Sequence, residues 1–419
     1  MAAVDDTKDD PAAAEAASLQ SSARRAAGIF LHPSASESRY ATTVLVTAAT
    51  SGYSQFLYSW MCRADALRLR YLVVALDPTL FHDLSGELPP GHDLGRHIGL
   101  HDVSRDWNIS DDSVSSSFHN YNAGRYIATV CGKSKVASII LSAGLDVLFL
   151  DSDVGILRPP TLMIPTSPLV HYTYQPEHGP RPDSRLPDCT DQGPPVGNTG
   201  VYWARSSPVM INWFRATHDI CLTTRSKSEQ PLFWQVFQTV PLERVRCSKF
   251  PPPTTPYVCT LSPCMTPTGF IKLLRSPNQV VQWLAKNRAH PDRLLLAHPN
   301  WVIGSAPKKA MLKQLQLWFL GEDDKTCSAE ANRTTMQVWA KASASWSAQR
   351  TGTAVREWKT AVARQEFKTA VLHPRIHQAN SMLWTGAMLK KTVNNVLHVR
   401  GSEVASQDRK STSLRDALD

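Results

Sequence analysis

Residues 146–153 read DVLFLDSD and join a short apolar run to two carboxylates. The run up to Leu150 is typical of a buried strand. Asp151 and Asp153 follow it at once, and α/β folds bind ligands at the carboxyl edge of the sheet, where both would lie. Hard oxygen ligands there suit Mg²⁺ or Mn²⁺ bridging a diphosphate. The alternative is a turn or helix-cap pair, which is common for an isolated Asp-x-Asp.

The chain before this stretch predicts a strand, a helix and a second strand. Residues 42–47 (TTVLVT) are rich in β-branched side chains, residues 53–69 have helical apolar spacing, and residues 71–77 (YLVVALD) form a second apolar run that ends at Asp77. Because the connections are short, we expect a right-handed parallel βαβ unit. Many nucleotide-binding sheets begin with such a unit.

The chain around and after the aspartates predicts more elements of the same α/β layer. A Pro/Gly/Asp-rich segment at 176–195 predicts a long loop of the kind that often carries binding groups. A last strand leads directly into His298. The expected elements are a helix at 121–142, strands at 169–174 and 200–204, helices at 208–220 and 231–240, and the strand at 294–297.

The two ends of the chain differ in composition from its middle. Residues 1–39 carry little apolar periodicity and predict a disordered leader, whereas residues 40–320 predict the folded domain. Residues 321–419 predict an extension that is helical at 354–371 and disordered from 401. No run reaches the roughly 18 apolar residues of a membrane span, and the start has no signal-peptide core, so the sequence as given predicts a soluble chain without an anchor.

Composition restricts the class of protein but identifies no partner. The net charge of +9 suits a protein that handles phosphates, yet the 19% of charged residues are spread along the chain and form no nucleic-acid stripe. The eight cysteines include no C-x-x-C pair, which argues against zinc-ribbon and thioredoxin folds. Cys247, Cys259 and Cys264 suggest a loop disulfide, with free buried thiols as the equal alternative.

Several weaker candidates accompany the aspartate pair. His298 would add a third metal ligand from another strand end, although a lone histidine is more often structural. Residues 305–309 (SAPKK) read as a helix start with a capping serine, and two lysines in the first turn oppose the helix dipole by roughly 0.3–1 kcal/mol each unless an anion sits there. Residues 197–200 (GNTG) would otherwise be a turn, and Glu229-Gln230 an acidic helix start.

Two N-x-S/T triplets, at Asn108 and Asn332, would accept glycans if the protein entered the secretory pathway.

The order of these pieces resembles a known family. The motifs LVTAATSGY, VVALD, GLDVLFLDSDVGILRPP, GNTGVYWAR, SEQPLFW and HPNWVIGSAPKK resemble those of plant and algal nucleotide-diphospho-sugar transferases, glycosyltransferase family 77. The resemblance spans residues 40–320 and implies an α/β fold of GT-A type, with a mixed, mostly parallel central sheet flanked by helices. Its retaining members transfer arabinose, xylose or galactose to cell-wall glycans and glycoproteins in the Golgi lumen.

The resemblance also implies roles for particular residues. Asp151, Asp153 and His298 would hold Mn²⁺ or Mg²⁺, with the two aspartates also binding the donor diphosphate. The remaining donor contacts would come from Asp77 at the nucleoside, Lys135, Gly200 at the sugar and Lys308 at the phosphate. Asn198, Glu229 and Gln230 would lie around the donor sugar and acceptor as catalytic residues. The sequence departs from the family in having Glu229 where aspartate is usual, and in lacking the amino-terminal anchor.

Two other classes of protein remain as alternatives. A haloacid-dehalogenase-like phosphatase also places Asp-x-Asp after an apolar strand, and residues 321–324 (GEDD) would imitate its later acidic motif. Against it, Val154 and Gly155 stand where that family prefers a Gly-Thr or Thr/Val pair. A non-catalytic carbohydrate-binding protein on a transferase fold is the second alternative, and the intact aspartates and histidine argue against it.

Overall fold

The computed structural model describes residues 11–34, 40–86, 96–107, 124–177, 186–190, 196–225, 228–248, 253–268 and 274–344. The predicted helix at 354–371, the sequon at Asn108 and most of the 176–195 loop lie outside these residues. Within them, no helix is both long and apolar enough to cross a membrane.

Eight strands form one sheet in the order β3-β2-β1-β4-β7-β6-β9-β8, and a two-stranded sheet pairs β5 with β10. In chain order the strands are β1 (Thr43–Ala49), β2 (Tyr71–Ala75), β3 (Arg96–Leu100), β4 (Asp146–Leu150), β5 (Gly155–Ile156), β6 (Val170–Pro176), β7 (Gly197–Ala204), β8 (Glu243–Arg246), β9 (Tyr257–Thr260) and β10 (Leu296–Ala297).

The large sheet is mixed and mostly parallel, as predicted. β1 is parallel to both β2 and β4, and β2 is parallel to β3. β7 runs antiparallel to β4 and β6, whereas β9 is parallel to β6 and β8. The predicted strand, helix and parallel strand at the start of the fold are confirmed as β1, the following helix and β2.

Helices cover both faces of this sheet. In chain order they are α1 (Pro11–Ala26), α2 (Ser54–Ala66), α3 (Pro78–Ser85), α4 (Val103–Trp107), α5 (Gly124–Ser142), α6 (Pro208–Thr224), α7 (Glu229–Phe237), α8 (Pro277–Lys286), α9 (Ser305–Gln314) and α10, which covers residues 329–344. Single turns of 3₁₀ helix lie at Ser51–Tyr53, Pro160–Met163 and Pro291–Arg293.

The alternation of strand side chains divides the core into two layers. In β1, Val44 and Val46 pack on one face with residues of α1, α5, α6 and α7, whereas Leu45 packs on the other with residues of α2 and α3. Successive side chains of a strand point to opposite faces, so a strand buried on both faces is apolar throughout. This burial explains why β1, β2 and β4 could be predicted as continuous apolar runs.

Part of the predicted disordered leader is a helix, which corrects that expectation. Alanine is the strongest helix former, and α1 is rich in it. Leu19 and Ala23 of α1 are fully buried in the core, and Leu19 lies so close to Gly99 of β3 that a Cβ there would meet Leu19 Cδ1 at 2.6 Å. Small alanines bury a helix face without the large apolar residues that periodicity detects.

Candidate metal and donor site

The chain brings Asp151, Asp153 and His298 together through two pairs of strands. Asp151 follows β4 and donates its backbone N–H to the Gly200 carbonyl of antiparallel β7 at 2.7 Å. Asp153 lies just before β5, and β5 pairs antiparallel with β10, where Ala297 faces Gly155. His298 comes directly after Ala297, so this pairing places it opposite the segment that carries Asp153.

Three ligand atoms converge at this point. The His298 Nε2 atom lies 3.9 Å from Asp151 Oδ2 and 3.4 Å from Asp153 Oδ1. Among the described residues, these three form the group that could hold a metal ion, and their ligand atoms lie within 4.8 Å of one another. We call them the metal-ligand group. Two carboxylates and one imidazole form a donor set for a divalent metal ion.

The other polar atom of each of these side chains has a partner of its own. Asp151 Oδ1 accepts a hydrogen bond from Lys133 Nζ at 2.8 Å, and Asp153 Oδ2 accepts one from Lys308 Nζ. His298 Nδ1 lies 2.9 Å from Gln175 Oε1. The three atoms left over are the three that face each other, which is the arrangement a bound cation requires.

Gln175 fixes the tautomer of His298. Its side-chain Nε2 donates to the backbone carbonyl of Thr266 at 2.7 Å, so its Oε1 must face the histidine as an acceptor. His298 Nδ1 therefore carries a proton in either charge state, and in the neutral ring Nε2 is the nitrogen that can offer a lone pair to a metal. Both side chains are almost completely buried, which holds this orientation.

Gly200 makes the close approach of these groups possible. A Cβ at this position would lie 2.0 Å from Asp151 Oδ2 and 2.8 Å from His298 Cε1. Only the hydrogen of glycine fits between β7 and the ligand atoms.

Burial and opposite charges shift the ionisation of this cluster. Burial raises the pKa of the Asp153 carboxyl, but Lys308 and His298 outweigh it and hold that pKa far below its usual range. Burial lowers the pKa of Lys133, but Asp151 and Glu229 outweigh it and the net shift is upward. Both lysines thus neutralise the carboxylates in the absence of other cations.

A second carboxylate, Glu177, organises the polar groups beside the metal-ligand group. It follows β6 and is buried. Its Oε2 accepts from Asn198 Nδ2 at 2.9 Å and from Gln230 Nε2 at 3.4 Å. Its Oε1 accepts from Asn300 Nδ2 at 2.8 Å and from the indole N–H of Trp301. One carboxylate therefore positions side chains from β7, α7 and the segment after β10.

Asn198 and Gln230 are also tied to each other and to β7. Asn198 Nδ2 donates to Gln230 Oε1 at 3.2 Å, and Asn198 Oδ1 accepts from the Gly200 backbone N–H at 2.7 Å. Gln230 Oε1 accepts from the Thr199 backbone N–H at 3.3 Å. The alternative interpretation of GNTG as a turn is wrong, because these residues form the first half of β7.

Glu229 lies at the start of α7 and is buried beside α5. Ser134 Oγ donates to Glu229 Oε1 at 2.6 Å. Burial raises the pKa of Glu229, and Lys133 and Ser134 lower it in part. Its carboxyl group is therefore held on the wall of the site by α5.

These groups surround one open cavity. Its interior volume is about 220 Å³, and its mouth is open to solvent. Polar lining side chains are Lys133, Asp151, Glu177, Asn198, Glu229 and Gln230, and His298 closes the same wall. Trp301 and Ile303 stand at the cavity with exposed side chains.

Two of the predicted donor-binding residues, Asp77 and Lys135, do not line this cavity. Asp77 accepts backbone N–H groups from Leu80 at 2.8 Å and Ser51 at 2.7 Å, and thereby caps α3. Lys135 is two residues from Lys133 on α5, and two residues turn a helix by about 200°, so its side chain leaves on the other side. In the described part of the chain Lys133, not Lys135, lines the cavity.

The helix that carries Lys308 begins slightly differently from the prediction. The cap of α9 is Gly304, with a φ of +93° that favours glycine, and Ser305 is the first helical residue. The charges of both lysines are compensated by carboxylates, because Lys308 contacts Asp153 and Lys309 contacts Asp324. Asp324 belongs to the GEDD segment and forms this ion pair at the surface of α9.

Four residues of the site are not singled out by the sequence: Lys133, Gln175, Glu177 and Trp301. Glu177 is the second residue of the segment at 176–195 that is predicted only as a loop, and Gln175 lies in β6 just before this segment. Because this strand also carries His171 and Thr173, the polarity of Gln175 alone does not mark it as a residue of the site.

The chain matches one family of known proteins. The family model for nucleotide-diphospho-sugar transferases matches residues 66–284, more than half of the chain. A search of curated proteins gives no significant match. The matched region contains Asp151, Asp153, Asn198 and Glu229 and ends before His298.

Solved structures resemble the chain only distantly. The apo form of mouse xyloside xylosyltransferase 1 aligns with a TM-score of 0.34 and 13% identity, over 62% of this chain and 97% of that one. The glycosyltransferase GlyE of Streptococcus pneumoniae aligns with a TM-score of 0.36 and 11% identity, over 65% of this chain and 60% of that one. At these TM-scores neither structure bears on mechanism or substrate. The family match favours the transferase over the phosphatase and binding-protein alternatives, and the chain belongs to the nucleotide-diphospho-sugar transferase family.

Proposed function

We propose that this chain is a metal-dependent glycosyltransferase of GT-A type that moves a sugar from a nucleotide diphosphate to a glycan or glycoprotein acceptor. The observation that carries the proposal is that one ligand atom each of Asp151, Asp153 and His298 lies within 4.8 Å of the others. Mn²⁺ or Mg²⁺ is the expected ion, because two of the three donors are carboxylate oxygens.

Different residues around the cluster would bind different parts of the donor. When bound, the cation would neutralise charge on the leaving diphosphate. Lys308 approaches the same group from the start of α9, where an anion is favoured by the helix dipole. Lys133 holds Asp151 from the opposite side and adds a second positive charge. These positions favour the diphosphate over an uncharged ligand.

Neutral amides face the part of the cavity next to Asp151. Asn198 and Gln230 are oriented by Glu177 and would bind sugar hydroxyl groups through their remaining donors and acceptors. Glu229, buried against Ser134, would act at the reacting sugar or position its neighbours. We assign Asn198, Glu229 and Gln230 the catalytic role and Gly200 the place beside the donor sugar. Asp77 and Lys135 stay predictions for donor binding.

The test is donor turnover in the presence and absence of metal. The full chain with UDP- and GDP-sugars and Mn²⁺ should release free sugar, because transferases commonly lose donor to water. EDTA should abolish turnover, and Mn²⁺ or Mg²⁺ should restore it. Asp153→Asn should lower turnover at least 100-fold with the fold retained. Undiminished turnover in EDTA, or no turnover with any donor, would exclude the proposal.

We further propose membership of glycosyltransferase family 77 and retention of the anomeric configuration, on the ordered motifs of the sequence. Arabinose, xylose and galactose donors are then the first to test. The anomeric proton of the product, observed by NMR before mutarotation, should show the configuration of the donor. An inverted product would exclude retention.

The Golgi lumen is the proposed location. All eight cysteines form disulfides, in the pairs Cys62–Cys327, Cys131–Cys221, Cys189–Cys264 and Cys247–Cys259. Disulfides persist in oxidising compartments such as the secretory pathway and are rare in the cytosol. Mass spectrometry of protein from its native host, alkylated without reduction, should show the four pairs. Eight free thiols would contradict this location.

A further inference from the structure

Trp301 is a large aromatic side chain that remains exposed at the cavity. It is 47% exposed, and Ile303, two residues later, is 73% exposed. Among the described residues the large exposed apolar side chains are Leu162, Trp301, Ile303 and Met336, so two of these four line the cavity. Exposed apolar surface beside a binding cavity costs solvation free energy and marks a contact surface.

The orientation of the Trp301 ring is fixed by the cavity itself. Its indole N–H donates to Glu177 Oε1, and the other oxygen of Glu177 accepts from Asn198 and Gln230. Asn300, next to Trp301, donates to the same carboxylate at 2.8 Å. The polar edge of the indole is thus satisfied, and the exposed remainder is hydrocarbon ring. A ring held in this way loses little conformational entropy when a ligand covers it.

An apolar ring face beside amide groups matches the chemistry of a sugar. A sugar ring has a face of C–H groups, which the electron-rich face of an aromatic ring attracts, and an edge of hydroxyl groups that need hydrogen bonds. Asp151 and His298 of the candidate metal site line the same cavity as Trp301 and Ile303, and the exposed side chains of Trp301 and Ile303 remain available to a second substrate.

We propose that Trp301 is the stacking platform for the acceptor sugar, oriented by Glu177 and extended by Ile303. This inference rests on the proposed transferase function and assigns the acceptor site to a specific surface of the cavity. Glu177 is a positioning residue, because both of its carboxylate oxygens accept hydrogen bonds from the side chains around the cavity, among them Trp301, Asn198 and Gln230. The ligand class is a glycan with an exposed pentose or hexose ring.

The test compares glycan binding by four forms of the full chain: the wild type, Trp301→Phe, Trp301→Ala and the control Leu162→Ala. Each is applied with Mn²⁺ and UDP or GDP to an array of defined oligosaccharides ending in pentose or hexose residues. The wild type should bind a subset of them. Trp301→Ala should weaken that binding about tenfold, and Trp301→Phe less, because phenylalanine keeps an aromatic face. Leu162→Ala removes an exposed side chain of the Pro160–Met163 turn and should bind like the wild type.

Three results would overturn the inference. The first is a wild type that binds no glycan on the array, and the second is a Trp301→Ala variant that binds glycan as well as the wild type does. The third is loss of UDP and GDP binding in Trp301→Ala with glycan binding retained, which would make the ring a nucleobase platform. Donor turnover is measured on the same wild-type preparation. Its absence would refute the transferase function, whereas turnover without Trp301-dependent glycan binding would refute the acceptor platform alone.

Discussion

Gly200 separates two of the metal-ligand side chains by no more than a hydrogen atom. Its neighbours Asp151 and His298 follow different strands. His298 is buried, whereas Asp151 is partly exposed and lines the cavity, so an added methyl group would push the Asp151 carboxylate away from the cluster. A substitution at Gly200 therefore tests whether donor turnover requires the geometry of the cluster as well as its three ligand residues.

Gly200→Ala should lower donor turnover about 100-fold, because a methyl group 2.0 Å from Asp151 Oδ2 forces the carboxylate aside by about 1 Å. Gly86→Ala is the matched control, since a Cβ there meets nothing closer than 3.7 Å. Turnover with Mn²⁺ and circular dichroism of both variants check the prediction. Equal turnover of the two variants would show that the Asp151 position is not critical.

Gln175 would act on a bound metal through His298. Gln175→Leu should weaken Mn²⁺ binding by roughly 10 to 100-fold, because His298 loses the acceptor that fixes its tautomer. Titration of free Mn²⁺ by electron paramagnetic resonance measures the affinity directly. Gln235→Leu, an exposed glutamine of α7, is the control. A wild-type affinity in Gln175→Leu would mean that burial alone orients the histidine.

The residues of the site differ in how far sequence predicts them. Asp151, Asp153 and His298 each follow a strand, and a strand end is recognisable from an apolar run. Lys133 lies inside α5, where the pattern defines a helix but not which of its residues meets a ligand from another element. Two residues along a helix reverse the direction of the side chain, which is why Lys133 lines the cavity and Lys135 does not.

At the scale of elements, a buried charge network joins α1, α4 and α6. His101, in the connection between β3 and α4, lies 3.0 Å from Glu15 of α1 and 3.2 Å from Asp106 of α4. Asp106 lies 3.3 Å from His218 of α6. Arg105 pairs with Glu15 at 2.9 Å and lies 3.5 Å from Asp102. The network connects α1, which lies in the segment predicted to be disordered, to the rest of the fold.

This network predicts a dependence of stability on pH. Burial lowers the pKa of His101, but Asp106 and Glu15 outweigh it, so its pKa in the folded state is raised. A raised histidine pKa stabilises the fold below the unfolded value of about 6.5 and loses that effect as pH rises through the folded value. Burial also raises the pKa of Asp106, but His101 and His218 outweigh burial, so its pKa in the folded state is lowered. The stabilisation from Asp106 is therefore present above the unfolded value of about 3.9 and is lost as pH falls below it.

The free energy of unfolding in urea, measured from pH 4 to pH 9 for the wild type and His101→Gln, checks this. The difference between the two proteins should be largest near pH 5 and should shrink as pH rises above 6.5. His82→Gln is the control, since the His82 side chain is 93% exposed. A difference that stays constant over the whole range would mean that His101 contributes by packing and not by its charge.

The helices α1 and α10 lie outside the predicted domain at residues 40–320, and both pack against it. In α10, Trp339 is buried and its indole N–H donates to the Leu315 carbonyl at 3.2 Å. Asn332, a predicted glycan acceptor, lies in this helix and accepts from Arg63 at 3.2 Å. Domain limits drawn from apolar periodicity miss helices that bury only a few side chains, because most of their residues are polar or small.

At the scale of the whole molecule, the disulfides connect distant parts of the described chain. Cys62 of α2 pairs with Cys327, 265 residues later and just before α10. Cys247 pairs with Cys259 across only 12 residues, between β8 and β9. The sequence predicts a loop disulfide in the proline-rich stretch, with free thiols as the alternative. The spacing of the cysteines, in contrast, does not predict that Cys62 pairs with Cys327.

These two disulfides should differ in their effect on stability. A cross-link stabilises a fold mainly by restricting the unfolded chain, and the restriction grows with the closed loop. Removing Cys62–Cys327 with two alanines should cost about 5 kcal/mol in the free energy of unfolding, and removing Cys247–Cys259 about 3 kcal/mol. Urea unfolding of the oxidised proteins measures both losses. The same measurement under reducing conditions is the control, since the unfolded chains then have no cross-links and the loop-length difference should disappear. If the short loop proves as costly as the long one when oxidised, the native fold, and not the unfolded chain, determines what each disulfide contributes.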